Sequence, residues 1–120
     1  MTTGLTTTPG LPAEAHIAAI LQAYLVNRGD LLGPSKCQKH VRPRCELYAR
    51  LLCEPFGFRD GNVVYRSLPQ AGKIVGKRDH TTVLYGLRRY AAEMLGTAPK
   101  ARLATIREAY HNRAAVGLAA

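Results

Sequence analysis

The stretch Ser67-Leu68-Pro69-Gln70-Ala71-Gly72-Lys73-Ile74-Val75-Gly76-Lys77-Arg78-Asp79-His80-Thr81-Thr82-Val83-Leu84 decides how this chain is read. Ser67 suits a helix N-cap and Pro69 suits a first turn, so a short helix opens there. Val75 closes it and Gly76 stops it. A few residues later Asp79 caps a longer helix. Val83, Leu84, Leu87, Ala91 and Met94 keep helical spacing in it to about Leu95. A short helix, a turn around a glycine and a longer helix make a helix-turn-helix pattern. In that motif the second helix lies in the major groove of duplex DNA, with its N-terminal residues against base edges.

The residue types at that end suit such a task. Asp79 can accept a hydrogen bond from a cytosine amino group. His80 and Thr81 can donate or accept, and a threonine methyl can meet a thymine methyl. Lys77 and Arg78 just before, and Arg88 and Arg89 further along, can hold phosphates. Asp79 also reads as an ordinary cap, Arg88 and Arg89 as a solvated face, and Tyr85 as a packing residue.

Outward from this core the periodicity gives more helices. Ile17, Ile20, Leu21, Tyr24 and Leu25 mark one from Pro12, stopped at Asn27 to Gly29. Asp30 to Pro34 read as a connector with two buried leucines, and the polar segment from Ser35 to Arg44 as a basic loop. Pro43 fits the first turn of a second helix through Leu47, Leu51 and Leu52, ended by Pro55 and Gly57. Asp60-Gly61 between β-prone residues predicts a hairpin over 56–66. A last helix carries Leu103, Ile106 and Tyr110. The expected organisation is a disordered lead-in over 1–12, a helical DNA-binding domain over 13–95, and over 96–120 an additional helix with a tail frayed from Ala114. The fold class is all-α.

Composition agrees with a polyanion as partner. The 120 residues carry 17 Lys+Arg against 8 Asp+Glu, a formal charge of +9. Residues 35–90 hold 12 of the basic and 4 of the acidic residues, so one region carries nearly all the attraction. No apolar run approaches the roughly 20 residues of a membrane span. The N-terminus lacks the pattern of a signal peptide. Cys37, Cys45 and Cys53 form an odd set, which with no secretion signal points to a reducing cytoplasm. Cys37-x-x-His40 has no second half for a zinc site. No phosphate-binding loop, carboxylate pair or nucleophile–base pair stands out. The expectation is therefore no enzyme activity, no cofactor and no metal.

Four blocks then carry a resemblance. Gly76-Lys77-Arg78-Asp79-His80-Thr81-Thr82-Val83-Leu84 resembles the signature of the C-terminal DNA-binding domain of DnaA, the bacterial chromosomal replication initiator. Ser67-Leu68-Pro69 with Gly72, Arg42-Pro43-Arg44 and Asp30-Leu31-Leu32 are similar to further blocks of that domain, in order and in register. The resemblance covers about Ala13 to Leu95. It implies an all-helical domain reading a short duplex site, the DnaA box. Carried over, Asp79, His80 and Thr81 face bases, and Leu68 and Pro69 touch the groove edge. Arg44, Thr82 and Arg89 fall on phosphates. Lys36 stands at the minor-groove arginine of a basic loop that also holds Lys39 and Arg42.

Departures are specific. Cys45 stands for a glutamine, Tyr85 for a base-contacting histidine and Lys77 for the second glycine; residues 56–65 are an insertion. No ATPase domain is expected in this chain. The implied function is sequence-specific duplex binding that regulates replication initiation or transcription, in the cytoplasm at the nucleoid, for a protein of bacterial or phage origin. DnaA or another replication protein is a further expected partner. The alternative is an interaction protein using the insertion and last helix. A monomer is the expectation, and a dimer the alternative, since the related arrangement in the Trp repressor is dimeric.

Overall fold

The computed structural model of the chain describes residues 11–34 and 37–119. Most of the expected lead-in, residues 1–10, lies outside them. The fold is all-α with one small hairpin. In order it runs α1 (Ala13–Tyr24), α2 (Arg28–Leu32), α3 (Gln38–Cys53), β1 (Gly57–Arg59), β2 (Asn62–Val64), α4 (Leu68–Ile74), α5 (His80–Tyr90), a π-helical turn (Ala91–Leu95) and α6 (Leu103–Ala119). In the tail expected to fray, the α6 backbone is helical to Ala119.

Helix α3 is the centre. Its Leu47, Leu51 and Leu52 are fully buried, and α1, α2, α4, α5 and α6 all pack on it. Ile17 and Ile20 arrive from α1, Leu31 from α2, Val83 and Leu87 from α5, and Ile106 from α6. Each turns from its helix into the core, and burying a side chain of this size contributes roughly 1.5–3 kcal/mol.

Three boundaries differ from the sequence expectation. The connector at Asp30 is a helix. Asn27 does not stop α1; it caps α2, its side chain accepting from the Asp30 N–H at 2.8 Å. Helix α1 ends instead on Leu25, which takes a left-handed φ of 55° and turns out to solvent rather than into the core. Of the two leucines expected to be buried in the connector, Leu31 is fully so and Leu32 only partly. Helix α3 begins at Gln38, so Pro43 lies in its interior and the basic loop is largely helix. Proline there removes one bond, to the carbonyl of the exposed Lys39, while its ring is buried in the core. Helix α5 passes into a π turn before Leu95, closed by Gly96 at φ 74° and by the Gly96 and Thr97 N–H groups donating to the Ala91 carbonyl.

The hairpin is as expected. Gly57, Phe58 and Arg59 pair with Val64, Val63 and Asn62, and Asp60 and Gly61 both take positive φ, as a tight two-residue turn requires. It is stitched to the domain by Arg107, which donates to the Leu52 and Arg66 carbonyls and lies 4.1 Å over the Tyr65 ring. Arg66 lies 4.8 Å over Phe56. The insertion closes one end of the core.

His16 is fully buried beneath this end, and neither ring nitrogen has a hydrogen-bond partner among the described residues. Burial holds its pKa below 6.5. Glu54, with Oε1 4.0 Å from Nδ1, opposes that shift, and Arg50 and Arg66 add to it. Below about pH 6.5 the unfolded chain therefore takes up a proton that the folded chain refuses. The stabilisation is present above that pH and is lost as pH falls towards the lowered value. Urea unfolding at pH 7.5 and 5.5 should show a loss of about 1 kcal/mol in the wild type, and His16→Leu should remove that difference. An equal pH dependence in both proteins would place its source elsewhere.

Candidate nucleic-acid interface

The helix-turn-helix is built by local signals that reinforce one another. Ser67 and Gln70 form a reciprocal capping box: the Gln70 N–H donates to Ser67 Oγ at 3.2 Å and the Ser67 N–H to Gln70 Oε1 at 2.7 Å. Gly76 sits in the left-handed region and Lys77 follows it there at φ 60°, which reverses the chain between the helices. The Arg78 N–H closes the turn on the Gly72 carbonyl at 2.8 Å. An ideal Cβ on Gly72 would lie 2.0 Å from the Arg78 carbonyl oxygen, so α4 and the turn approach as closely as only glycine permits. Asp79 caps α5 by accepting from the Thr82 N–H at 2.7 Å, and that bond chiefly holds its carboxyl below the usual range.

This frame exposes the residues expected to read bases. Asp79, His80 and Thr81 are all exposed at the start of α5. Thr82, Tyr85 and Arg89 continue along the outer face, while Val83, Leu87 and Ala91 face the core. Tyr85 is 78% exposed, a high value for an aromatic ring, so it does not fill the packing role. At the start of α4, Pro69 is exposed and Leu68 half-buried against the core. Lys77 is exposed in the turn.

The basic residues expected at phosphates divide into two groups. Lys39 and Arg42 are exposed on the first turns of α3, where both line a groove beside the α1–α2 junction. Arg42 also reaches Met94 Sδ at 3.4 Å and lies near Arg89, whose guanidinium pairs with Glu93 at 3.6 Å. Arg88 is half-buried and donates to the Ala101 carbonyl at 3.0 Å. Arg44 and Arg78 differ. Arg44 is only 6% exposed and donates to the Leu31, Asp30 and Gly33 carbonyls. Arg78 donates to the Leu32, Val75 and Gly33 carbonyls. Both guanidinium groups, like that of Arg88, are turned to the backbone rather than outward. Lys36, the expected minor-groove residue, lies outside the described residues.

A cleft of about 520 Å³ opens between α3 and α5, lined by Val41, Cys45 and Tyr48 of α3 and by Thr82, Tyr85 and Arg89 of α5. Gly86 lets the helices close behind it, since a Cβ there would lie 2.7 Å from the Tyr48 ring. Burial raises the Cys45 thiol and pushes the Tyr48 hydroxyl to about 12, so both stay neutral. The sequence reading missed the inward turn of Arg44, Arg78 and Arg88; the signals near Arg78 were Gly76 in the turn and Gly72 ahead of it in α4. Among the described residues no group of three or more His, Cys, Asp or Glu could hold a metal ion. No helix among them is long and apolar enough to cross a membrane.

Over 70 residues the chain is 36% identical to the chromosomal replication initiator protein DnaA of Ruegeria sp. (strain TM1040), a match covering 58% of this chain and 13% of that protein. It is 37% identical over 73 residues to the protein of the same name from Bradyrhizobium sp. (strain BTAi1 / ATCC BAA-1182), covering 61% of this chain and 14% of the relative. With that of Ruegeria pomeroyi it shares 36% identity over 66 residues, 55% of this chain and 12% of the relative. The chain thus spans about one-eighth of the length of the curated relatives it matches. These relatives carry the family name to which the four sequence blocks point. No family model matches the chain, and no solved structure matches it significantly.

Proposed function

We propose that this chain, of bacterial or phage origin, is a sequence-specific duplex-DNA-binding domain that reads DnaA-box-like sites and regulates replication initiation or transcription from them at the nucleoid in the cytoplasm. The observation that carries the reading is the exposed start of α5. Asp79, His80 and Thr81 stand together at the N-terminus of a helix capped by the Asp79 carboxylate and set by a glycine turn, behind a helix α4 that carries a two-sided cap. Such a helix end, presented to a major groove, brings short polar side chains to base edges. Tyr85, one turn further, and Pro69 and Leu68, at the start of α4, flank that contact. Lys77, Thr82 and Arg89 supply phosphate contacts from α5 and its turn, and Lys39 and Arg42, with Lys36, supply them from α3 and the segment before it; Arg88, half-buried and donating to the Ala101 carbonyl, is not among them.

The organisation follows the same reading: residues 13–95 are the DNA-binding unit, and α6 with the hairpin closes its core. Arg107 ties α6 to both α3 and the end of the hairpin, which favours an architectural role for them over a surface for a replication protein. Monomeric binding is proposed. The sequence holds no Gly-x-x-x-x-Gly-Lys-Ser/Thr motif, and binding by this chain is proposed to be independent of nucleotide. A chain that shares the initiator's sites would displace DnaA from them.

A mobility shift on DnaA-box duplex against scrambled duplex tests the proposal. The box should be preferred. Thr81→Ala and Asp79→Ala should each lose about 1–3 kcal/mol of that preference and far less affinity for scrambled DNA. Asp79→Ala also loses its cap, worth about 1 kcal/mol, so circular dichroism must show it folded. Full discrimination by both folded variants would move base reading away from α5.

A further inference from the structure

We infer that Arg44 and Arg78 are a positioning pair that locks the turn of the helix-turn-helix to the C-terminal end of α2, setting base discrimination without holding phosphates. The inference rests on the DNA-binding reading above. It replaces the phosphate role that the sequence alone gives these two residues.

The last carbonyls of any helix lack intrahelical partners. In a five-residue helix such as α2 that leaves most of its carbonyls unbonded. Here two guanidinium groups satisfy them. Arg44 Nε donates to the Leu31 carbonyl at 2.8 Å, and its Nη2 to those of Asp30 at 2.9 Å and Gly33 at 3.1 Å. Arg78 Nη2 donates to the same Gly33 carbonyl, while Nη1 donates to Leu32 at 3.4 Å and across to Val75, the C-cap of α4.

Gly33 is therefore shared by an arginine from α3 and one from the turn. The junction is tight: an ideal Cβ on Gly76 would lie 2.1 Å from the Leu32 carbonyl oxygen. Two like charges can sit together here because both face the negative end of the α2 dipole. Their crowding still registers, since burial first, and the Arg78 charge second, depress the Arg44 pKa.

The consequence for α5 is direct. Asp79, His80 and Thr81 follow Arg78 without a break. Arg78 bonds to both α2 and α4, so it fixes the point from which α5 leaves the turn. A planar fork of donors can serve three carbonyls at once; a lysine ammonium, on a flexible stem, is a point charge with no such geometry. Charge alone is therefore not enough at these two positions. At a phosphate contact it would be nearly enough.

Arg78→Lys and Arg44→Lys, titrated with salt on DnaA-box and scrambled duplex, separate the two roles. A positioning pair should lose at least tenfold in the box-to-scrambled affinity ratio, with the salt slope unchanged. Lysine variants that keep the ratio would overturn the proposal, and so would alanine variants whose log–log salt slope drops by about 0.9 for each arginine removed. A variant that does not fold leaves the wild type to decide. Nitrogen-15 spectra should show slowly exchanging guanidinium signals for both arginines in the free protein, unmoved by scrambled duplex while Arg89 shifts. Fast exchange in the free protein, or a shift of Arg78 on binding, would overturn the pair. Failure of the wild type to bind any duplex would instead sink the DNA reading, and the free-protein spectrum would still test the junction.

Discussion

Gly72→Ala is expected to lower the melting temperature by about 10–20 °C, the consequence of roughly 2–3 kcal/mol of overpacking in a domain of this size. The added methyl would meet the Arg78 carbonyl oxygen at 2.0 Å, with its carbon at 3.1 Å and Val83 Cγ2 at 3.5 Å. The first two are backbone atoms and cannot swing aside. Relief requires α4 to separate from the turn, which breaks the bond from the Arg78 N–H to the Gly72 carbonyl. Gly61→Ala is the matched control: its φ is positive at 81°, yet nothing lies within 4 Å of its Cβ position. It should lose only the conformational preference of glycine, about 1–2 kcal/mol. Thermal melting followed by circular dichroism checks both. A Gly72→Ala protein melting within a few degrees of the wild type would mean that the close approach of α4 to the turn is not required. Because that approach also sets where α5 begins, the variant should lose discrimination between DnaA-box and scrambled duplex.

The parts of this molecule that are legible in its sequence are those whose determinants are local. Ser67, Pro69, Gly76 and Asp79 each act within a turn or two of themselves, so the helix-turn-helix can be read directly from them. Asp60-Gly61 gives the hairpin for the same reason. The start of α3 is not legible. Its first residues are polar, its N-cap Cys37 makes no side-chain cap bond, and Pro43 imitates a helix start. Tertiary burial of the Pro43 ring overrides its own preference. Helix α2 is hidden because the Asn27 cap that starts it also looks like the end of α1. The destinations of the arginines are the least legible part. Arg44, Arg78, Arg89 and Arg107 carry the same charge in the sequence. Only the fold decides that three of them turn to carbonyls and that Arg89 stays on the outer face.

That division fixes what salt should do. Affinity for duplex DNA is expected to fall about 100-fold between 50 and 200 mM salt, from a log–log slope of roughly −3 to −4 for about four neutralised phosphates. The cations that can act are those the fold leaves outside. Lys77 is exposed in the turn, Lys39 and Arg42 on the first turns of α3, and Arg89 on α5, paired with the exposed Glu93. An exposed pair of that kind contributes little and exchanges readily for a phosphate. Lys77→Ala and Arg89→Ala should each make the slope shallower by about 0.9 and weaken box and scrambled duplex alike, since phosphates carry no sequence information. Thr81→Ala should leave the slope untouched and change only the preference. Fluorescence anisotropy over a salt series, on both duplexes and all three variants, measures these quantities together. A wild-type slope near zero would remove nucleic acid as the partner of this basic chain. A slope that Lys77→Ala and Arg89→Ala leave unchanged would put the phosphate contacts on a face other than that of α5.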